Sequence, residues 1–215
     1  MTILRRWWAD APATTFFTAA AVIVYVITAV ESRSLMDNLH ASELGRAWLL
    51  YGPEVSTGGL DRLRALGAVF LHIDLGHVAI NSFLLMLVGR EIEKFAGTAL
   101  YGAAFLAGGI GASATVLWMD WAQPTAGASG ALFALMVLLV GVARVRGGDL
   151  RAPLTLVAVN VVYTFLAPSV SLWGHMGGLF AGAAMVFFFV HRDHRVRWVG
   201  VLAVLAASCA AVLAV

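Results

Sequence analysis

The feature that most constrains this chain is a series of apolar runs, each close to the length at which an α-helix crosses a bilayer. A hydrocarbon core about 30 Å thick needs about 20 apolar residues at 1.5 Å of rise per residue. About seven stretches meet that measure, at residues 14–31, 76–93, 98–118, 127–145, 152–168, 173–191 and 197–215. Helices satisfy their own backbone groups in lipid, so the expected fold class is all-α, a polytopic membrane helix bundle. The chain is 61% hydrophobic and 12% charged, with a mean hydropathy of +0.88, values that exclude a soluble domain of this length. No repeat, low-complexity tract or soluble domain interrupts it. Residues 1–215 therefore read as one membrane domain.

Three function-limiting observations follow from the same inventory. The first run, Phe16 to Val30, follows Arg5 and Arg6 as a signal peptide would. No Ala-x-Ala-like cleavage site comes after it, and it reads as a spanning helix. The one cysteine, Cys209, falls in the last apolar run, where it is expected to be buried and can form no disulfide within the chain. The formal net charge of +2 is small and the basic residues are scattered, so nucleic acid is not an expected partner.

The basic residues set an orientation. With the N-terminus in the cytoplasm, that side receives Arg5, Arg6, Arg90, Lys94, Arg144, Arg146, Arg151, Arg192, Arg195 and Arg197, ten of the fourteen Lys and Arg. The other side receives Arg33, Arg46, Arg62 and Arg64, all in the first loop. This asymmetry places the N-terminus inside and the C-terminus outside. The first loop, residues 32–75, is too polar to span. It carries helical apolar spacing at Leu44, Ala47, Trp48 and Tyr51, and again at Leu60, Leu63, Leu66 and Phe70, a pattern that suits short interfacial helices or an ordinary surface loop with aromatic anchors.

Chemistry concentrates at a few polar starts of apolar runs. Gly127-Ala128-Ser129-Gly130 sets a hydroxyl among small residues. Alone it reads first as a helix-packing motif. His175, in Gly174-His175-Met176-Gly177-Gly178, opens a later run and supplies the base that a serine nucleophile needs. Ser129 lies fifteen residues from Arg144 and His175 seventeen from Arg192, or roughly 22 and 25 Å along a helix, so both sit in the outer part of the core. His77 and Asn81 open another run at that level, four apart and on one helix face. Singly, each polar residue reads as interhelical glue or a helix cap; four at one depth read as a water-accessible active site.

These residues resemble the rhomboid family of intramembrane serine proteases over about residues 64–188. Gly127-Ala128-Ser129-Gly130 resembles the family's G-x-S-G, which implies Ser129 as nucleophile. His175, Gly178 and Gly182 resemble H-x-x-G-x-x-x-G, implying His175 as base, with the glycines letting the nucleophile's helix approach. His77 and Asn81 resemble H-x-x-x-N, whose side chains contribute to an oxyanion hole together with the backbone N–H of Ser129. Gly89, Glu93 and Gly97 resemble a structural G-x-x-x-E-x-x-x-G element. Phe133 stands where the family commonly has a tyrosine stacked on the histidine. Leu63-Arg64 stands where it often has Trp-Arg. His72 resembles a further family histidine, given a structural role. The resemblance implies a six-span core, about residues 14–191, followed by one additional helix, about 197–215.

It also implies an endopeptidase acting through a Ser–His dyad on peptide bonds in or near transmembrane segments, in the lipid bilayer, here of a bacterial inner membrane. The partners are then transmembrane protein substrates that must unwind locally to present a carbonyl. With no carboxylate near His175 except Asp120 in a loop, orientation of the imidazole is expected to come from packing against Phe133 and the glycines. No cofactor is implied, and no metal, because nothing joins Asp74 and His77 at ligand spacing. Two rivals are a catalytically inactive relative that binds and guides transmembrane clients, which would be expected to have lost Ser129 or His175, and a small-solute transporter, which would show paired repeats and mid-membrane charge.

Overall fold

Glycines, a proline and short polar side chains cut the apolar sequence into helices at definite points. A computed structural model describes residues 9–215; Arg5 and Arg6, which enter the charge asymmetry, lie outside the described residues. Among the described residues seven long helices follow in order: α1 Pro12–Ser32, α2 Leu75–Ala96, α3 Thr98–Met119, α4 Ser129–Val145, α5 Arg151–Leu166, α6 Leu172–Phe189 and α7 His194–Leu213. Pro12 suits the first turn of α1, where its missing N–H has no partner to lose. Asp74 caps α2 by accepting from His77 N at 2.7 Å, and Ser171 caps α6 by accepting from Gly174 N at 3.1 Å. Gly97 joins α2 to α3 at φ +84°, a conformation few side chains tolerate.

Five of these helices, α1, α2, α3, α6 and α7, are long and apolar enough to cross a membrane. α4 and α5 are apolar but shorter, 17 and 16 residues. At 1.5 Å per residue α4 is about 25 Å long, so a helix that ends at the far boundary begins several ångströms inside the core. That shortness sets the depth of Ser129, its first residue.

α3 is the central helix, with 67% of its apolar window buried against 28% for α1 and 22% for α7. Tyr101 and Phe105 of α3, Leu132, Leu135 and Met136 of α4, and Met185 and Phe189 of α6 form the middle of the core. Phe17 of α1 stacks on Phe105, ring centroids 4.1 Å apart. The outer helices present bare apolar side chains, Ile23, Val30, Phe83, Phe165 and Phe187 among them. Such a surface is stable only against lipid, and the chain is an integral membrane protein.

The start of α1 is tied to the end of α2 by Glu93. Its carboxylate, 2% exposed, accepts from Ala13 N at 2.9 Å, Thr14 N at 2.8 Å and Thr14 Oγ1 at 2.7 Å. It serves as a cap supplied from another helix, favourable for the exposed N–H groups and for the helix dipole. Arg90 pairs with Asp10 at 2.7 Å, and Arg146 and Arg197 lie over the Phe95 ring at 5.3 and 4.7 Å. Basic residues thus gather at the end of the bundle opposite Ser129.

The first loop is more structured than its polarity suggests. Short helical pieces lie at Glu43–Trp48, Gly52–Val55, Gly59–Leu63, Arg64–Gly67 and Ala68–Phe70; the last two pack against α3 and the first against α1. Arg64, 8% exposed, holds them together: it donates to Asp61 Oδ1 at 2.8 Å, Arg46 O at 2.7 Å, Leu49 O at 3.2 Å and Glu54 Oε2 at 2.5 Å. The Asp61 carboxyl is held below its ordinary range, first by the Arg64 hydrogen bond and then by that of Thr57. Leu60 and Leu63 point outward, and Ala65, Ala68 and Val69 inward. Cys209 is likewise only half-buried, contrary to expectation, because it sits at the lipid edge of α7 while Ser208 faces the bundle.

Candidate active site

Between α3 and α4 the chain turns at residues 120–123 and runs without helix through 124–127, where its backbone groups need partners that no helix supplies. The first loop provides them. Leu50 N donates to Thr125 O at 3.1 Å, Thr125 N to Leu50 O at 2.9 Å, and Gly127 N to Ala68 O at 2.8 Å. Gly127 has φ +126°, and a Cβ there would lie 2.8 Å from His77 Cε1 and 2.9 Å from His77 Nε2. Only glycine fits the turn and the histidine together. The same point is 3.8 Å from Ser129 Oγ, so His77 and the serine hydroxyl flank one small space.

Ser129 then opens α4. The N–H groups of its first turn have no carbonyl to bond within the helix and no side-chain cap. Together with the positive end of the helix dipole they favour negative charge beside the hydroxyl. The hydroxyl itself makes no hydrogen bond among the described residues, and Ser129 is half-buried.

α6 crosses α4 at backbone contact. A Cβ on Gly178 would strike the carbonyl oxygen of Gly130 and lie 2.8 Å from its carbonyl carbon; one on Gly182 would lie 2.7 Å from Ala134 O. A Cβ on Gly130 would collide with Ala112 of α3 and lie 3.1 Å from Gly174 O. This crossing delivers His175, 7% exposed, to Phe133, whose ring stacks on the imidazole at 4.2 Å and 23°. Ser129 lies one turn before Phe133 on the same face of α4, so hydroxyl and imidazole share one side of the crossing.

The third pair completes the grouping. Asn81, 5% exposed, turns its amide back along α2 and donates from Nδ2 to His77 O at 2.9 Å, leaving its second N–H uncommitted. The His77 ring meets the edge of His72 at 4.9 Å. His72 is fully buried, with Nδ1 3.1 Å from Phe70 O. The structure therefore brings Ser129, His175, His77, Gly127 and Phe133 together, with Asn81 one turn deeper and Gly130, Gly178 and Gly182 at the crossing beneath.

One residue escaped sequence reasoning. Thr164 of α5, 4% exposed, places Oγ1 2.7 Å from His175 Nδ1 and 2.8 Å from Asn160 O. Packing is thus not the sole support of the imidazole, and its polar neighbour is Thr164 rather than Asp120. A threonine in an apolar helix commonly bonds to the carbonyl four residues back, so nothing in its sequence context sets it apart.

Comparison with known proteins places the chain in a family. The family model described as Rhomboid domain matches residues 61–192, which takes in α2 to α6 and leaves α1 and α7 outside. The chain is 31% identical over 128 residues to Rhomboid protease GluP of Bacillus subtilis (strain 168), covering 55% of this chain and 24% of that protein. It is 28% identical over 211 residues to Rhomboid-like protease 3 of Toxoplasma gondii, covering 93% and 78%. It is 29% identical over 138 residues to Rhomboid-type serine protease 2 of Emericella nidulans, covering 60% and 27%. The chain therefore spans about a quarter of the length of the Bacillus relative and over three quarters of the Toxoplasma one. With a helical membrane bundle and a family match over more than half its length, this chain belongs to the rhomboid family.

Proposed function

We propose that this protein is an intramembrane serine endopeptidase in which Ser129 is the nucleophile and His175 the general base. The observation that carries the reading is the α4–α6 crossing, where Phe133 stacks on His175 one turn from Ser129. In the proposed reaction Ser129 Oγ attacks a peptide carbonyl carbon while its proton passes to His175. The oxyanion is held by the Ser129 N–H, by His77 and by the free amide hydrogen of Asn81. Collapse expels the amine, which takes the proton from His175 and leaves an ester on Ser129. Water, deprotonated by His175, then hydrolyses the ester. Substrates in this reading are transmembrane segments, reached from the bilayer and unwound near the depth of Ser129. The chain acts as one membrane domain over residues 1–215, crossing seven times, N-terminus cytoplasmic and C-terminus outside.

The test is cleavage of a transmembrane substrate by purified protein in liposomes, together with labelling by a serine-directed fluorophosphonate. Wild type cleaves and is labelled at Ser129; Ser129→Ala and His175→Ala each lose both, and the double variant is no worse than either. Undiminished proteolysis by Ser129→Ala would end the proposal.

A further inference from the structure

We infer that Thr164 is a positioning residue that fixes which nitrogen of His175 carries the proton, through the chain Asn160 C=O, Thr164 hydroxyl, His175 Nδ1. Its part in hydrolysis rests on the proposed Ser129–His175 chemistry; the proton placement does not.

The argument starts from one hydrogen. Thr164 Oγ1 lies 2.8 Å from Asn160 O and 2.7 Å from His175 Nδ1, and the hydroxyl has one proton to give. A carbonyl oxygen only accepts. Two oxygens 2.8 Å apart with no hydrogen between them would set lone pair against lone pair at a threonine only 4% exposed, so the proton belongs on the Thr164–Asn160 line. The short contact with Nδ1 is then a bond in which Nδ1–H donates to the threonine oxygen. A neutral imidazole has one N–H, and Nε2 is left with a bare lone pair. That is the nitrogen at the far edge of the ring from Thr164, and it is the form a base must have.

Stacking alone cannot do this. Phe133 covers a face of the ring and restrains its plane, but a half-turn about Cβ–Cγ exchanges Nδ1 for Cδ2 and keeps the stack. Thr164 makes the half-turn unfavourable, because the hydroxyl would then face a carbon. The fold supports the same reading. Pro153 and Thr164 are the buried residues of α5, while Val162, Tyr163, Phe165 and Leu166 around the threonine are exposed. A helix that turns its apolar side chains outward sends one hydroxyl inward at the level of His175.

Three proteins decide it: wild type, Thr164→Val, which keeps the branched shape and removes the hydroxyl, and Thr164→Ser, which restores it. The first readout is nitrogen NMR of ¹⁵N-histidine protein in bilayers, with His175→Ala used to assign the signal. In wild type at neutral pH Nδ1 of His175 is protonated and Nε2 is not; Thr164→Val shifts or mixes this pattern and Thr164→Ser recovers it. A wild-type signal from Nε2–H overturns the inference, whether or not the protein cleaves anything. The second readout is kcat against KM. General-base catalysis contributes about 10²–10⁴-fold, and partial loss of the productive tautomer should cost Thr164→Val about 10- to 100-fold in kcat at unchanged KM, recovered by Thr164→Ser. Equal kcat for the valine variant refutes the catalytic part. Absence of wild-type cleavage together with a normal Nδ1–H signal refutes the protease reading and leaves the proton placement standing. If Thr164→Val fails to fold, the wild-type and serine spectra still decide.

Discussion

Gly178→Ala tests the crossing that assembles the site. The new methyl would run into the backbone of Gly130, striking its carbonyl oxygen, 2.8 Å from the carbonyl carbon and 3.1 Å from Cα. Ordinary contact begins at 3.4 Å, and none of the three atoms is the end of a flexible side chain. The helices must part by about 1 Å, a strain of the size that costs about 1–3 kcal/mol in an overpacked core. The functional loss is larger, because His175 rides on α6 and Ser129 on α4. A misplacement near 1 Å costs about 10²-fold in rate. Turnover of a transmembrane substrate and thermal midpoint should be measured in one detergent beside Gly102→Ala. A methyl at Gly102 meets only Phe17 at 3.9 Å, and alanine is better than glycine in a helix interior by about 0.5–1 kcal/mol. The control should keep full activity and an equal or higher midpoint, while Gly178→Ala loses about 10² in kcat. A Gly178→Ala protein with normal turnover would show that backbone contact between α4 and α6 does not position the dyad.

Three further outcomes are expected. His77→Ala should lose about 10²–10³ in kcat with an unchanged midpoint, and Asn81→Ala less, since one of its amide hydrogens already serves His77 O; variants that melt early yet turn over normally per folded molecule would assign both residues to helix packing instead. Glu93→Ala strips a charged acceptor from three donors, each such bond being worth about 1.5–3 kcal/mol, so unfolding in detergent should show at least about 3 kcal/mol lost; a smaller loss means that the donors find other partners. The Asp61 carboxyl is held down by Arg64 and Thr57, so its support of the first loop is complete above the ordinary carboxylate pKa of about 4 and is lost as pH falls through its lower folded value. Amide exchange across residues 46–64, corrected for intrinsic rate, should stay flat down to about pH 4 and rise below it, a rise that Asp61→Asn lacks; loss of protection near neutral pH would contradict the assignment.

Helices were legible because lipid makes length and apolarity decisive, and each expected span has a helix within a few residues of it. The boundary at Ser129 was less so, because Gly127 and Ala128 look apolar and small yet form the turn that swings the chain onto His77. Ser129, His175, His77 and Asn81 were singled out through spacing, depth and the family motifs, which survive in one dimension. Thr164 was not, since its meaning depends on where α5 leans against α6 and no periodicity encodes that. In the first loop Leu60 and Leu63 are 83% and 47% exposed, which suits short interfacial helices, because at a membrane boundary an outward apolar side chain carries no penalty.

The capping of α1 by Glu93 has a consequence for how the chain is made. The two residues that need the carboxylate precede it by 79 and 80 positions, so α1 is synthesised long before its cap exists. At about 5–20 residues per second the wait is roughly 4 to 16 s. During that interval the opening turn of α1 keeps its N–H groups satisfied only by remaining at the aqueous boundary. The opening turn of α1 therefore reaches its final hydrogen bonding only once α2 has been made. A chain lacking the carboxylate would leave that turn dependent on water for good, even where the rest of the bundle can still fold.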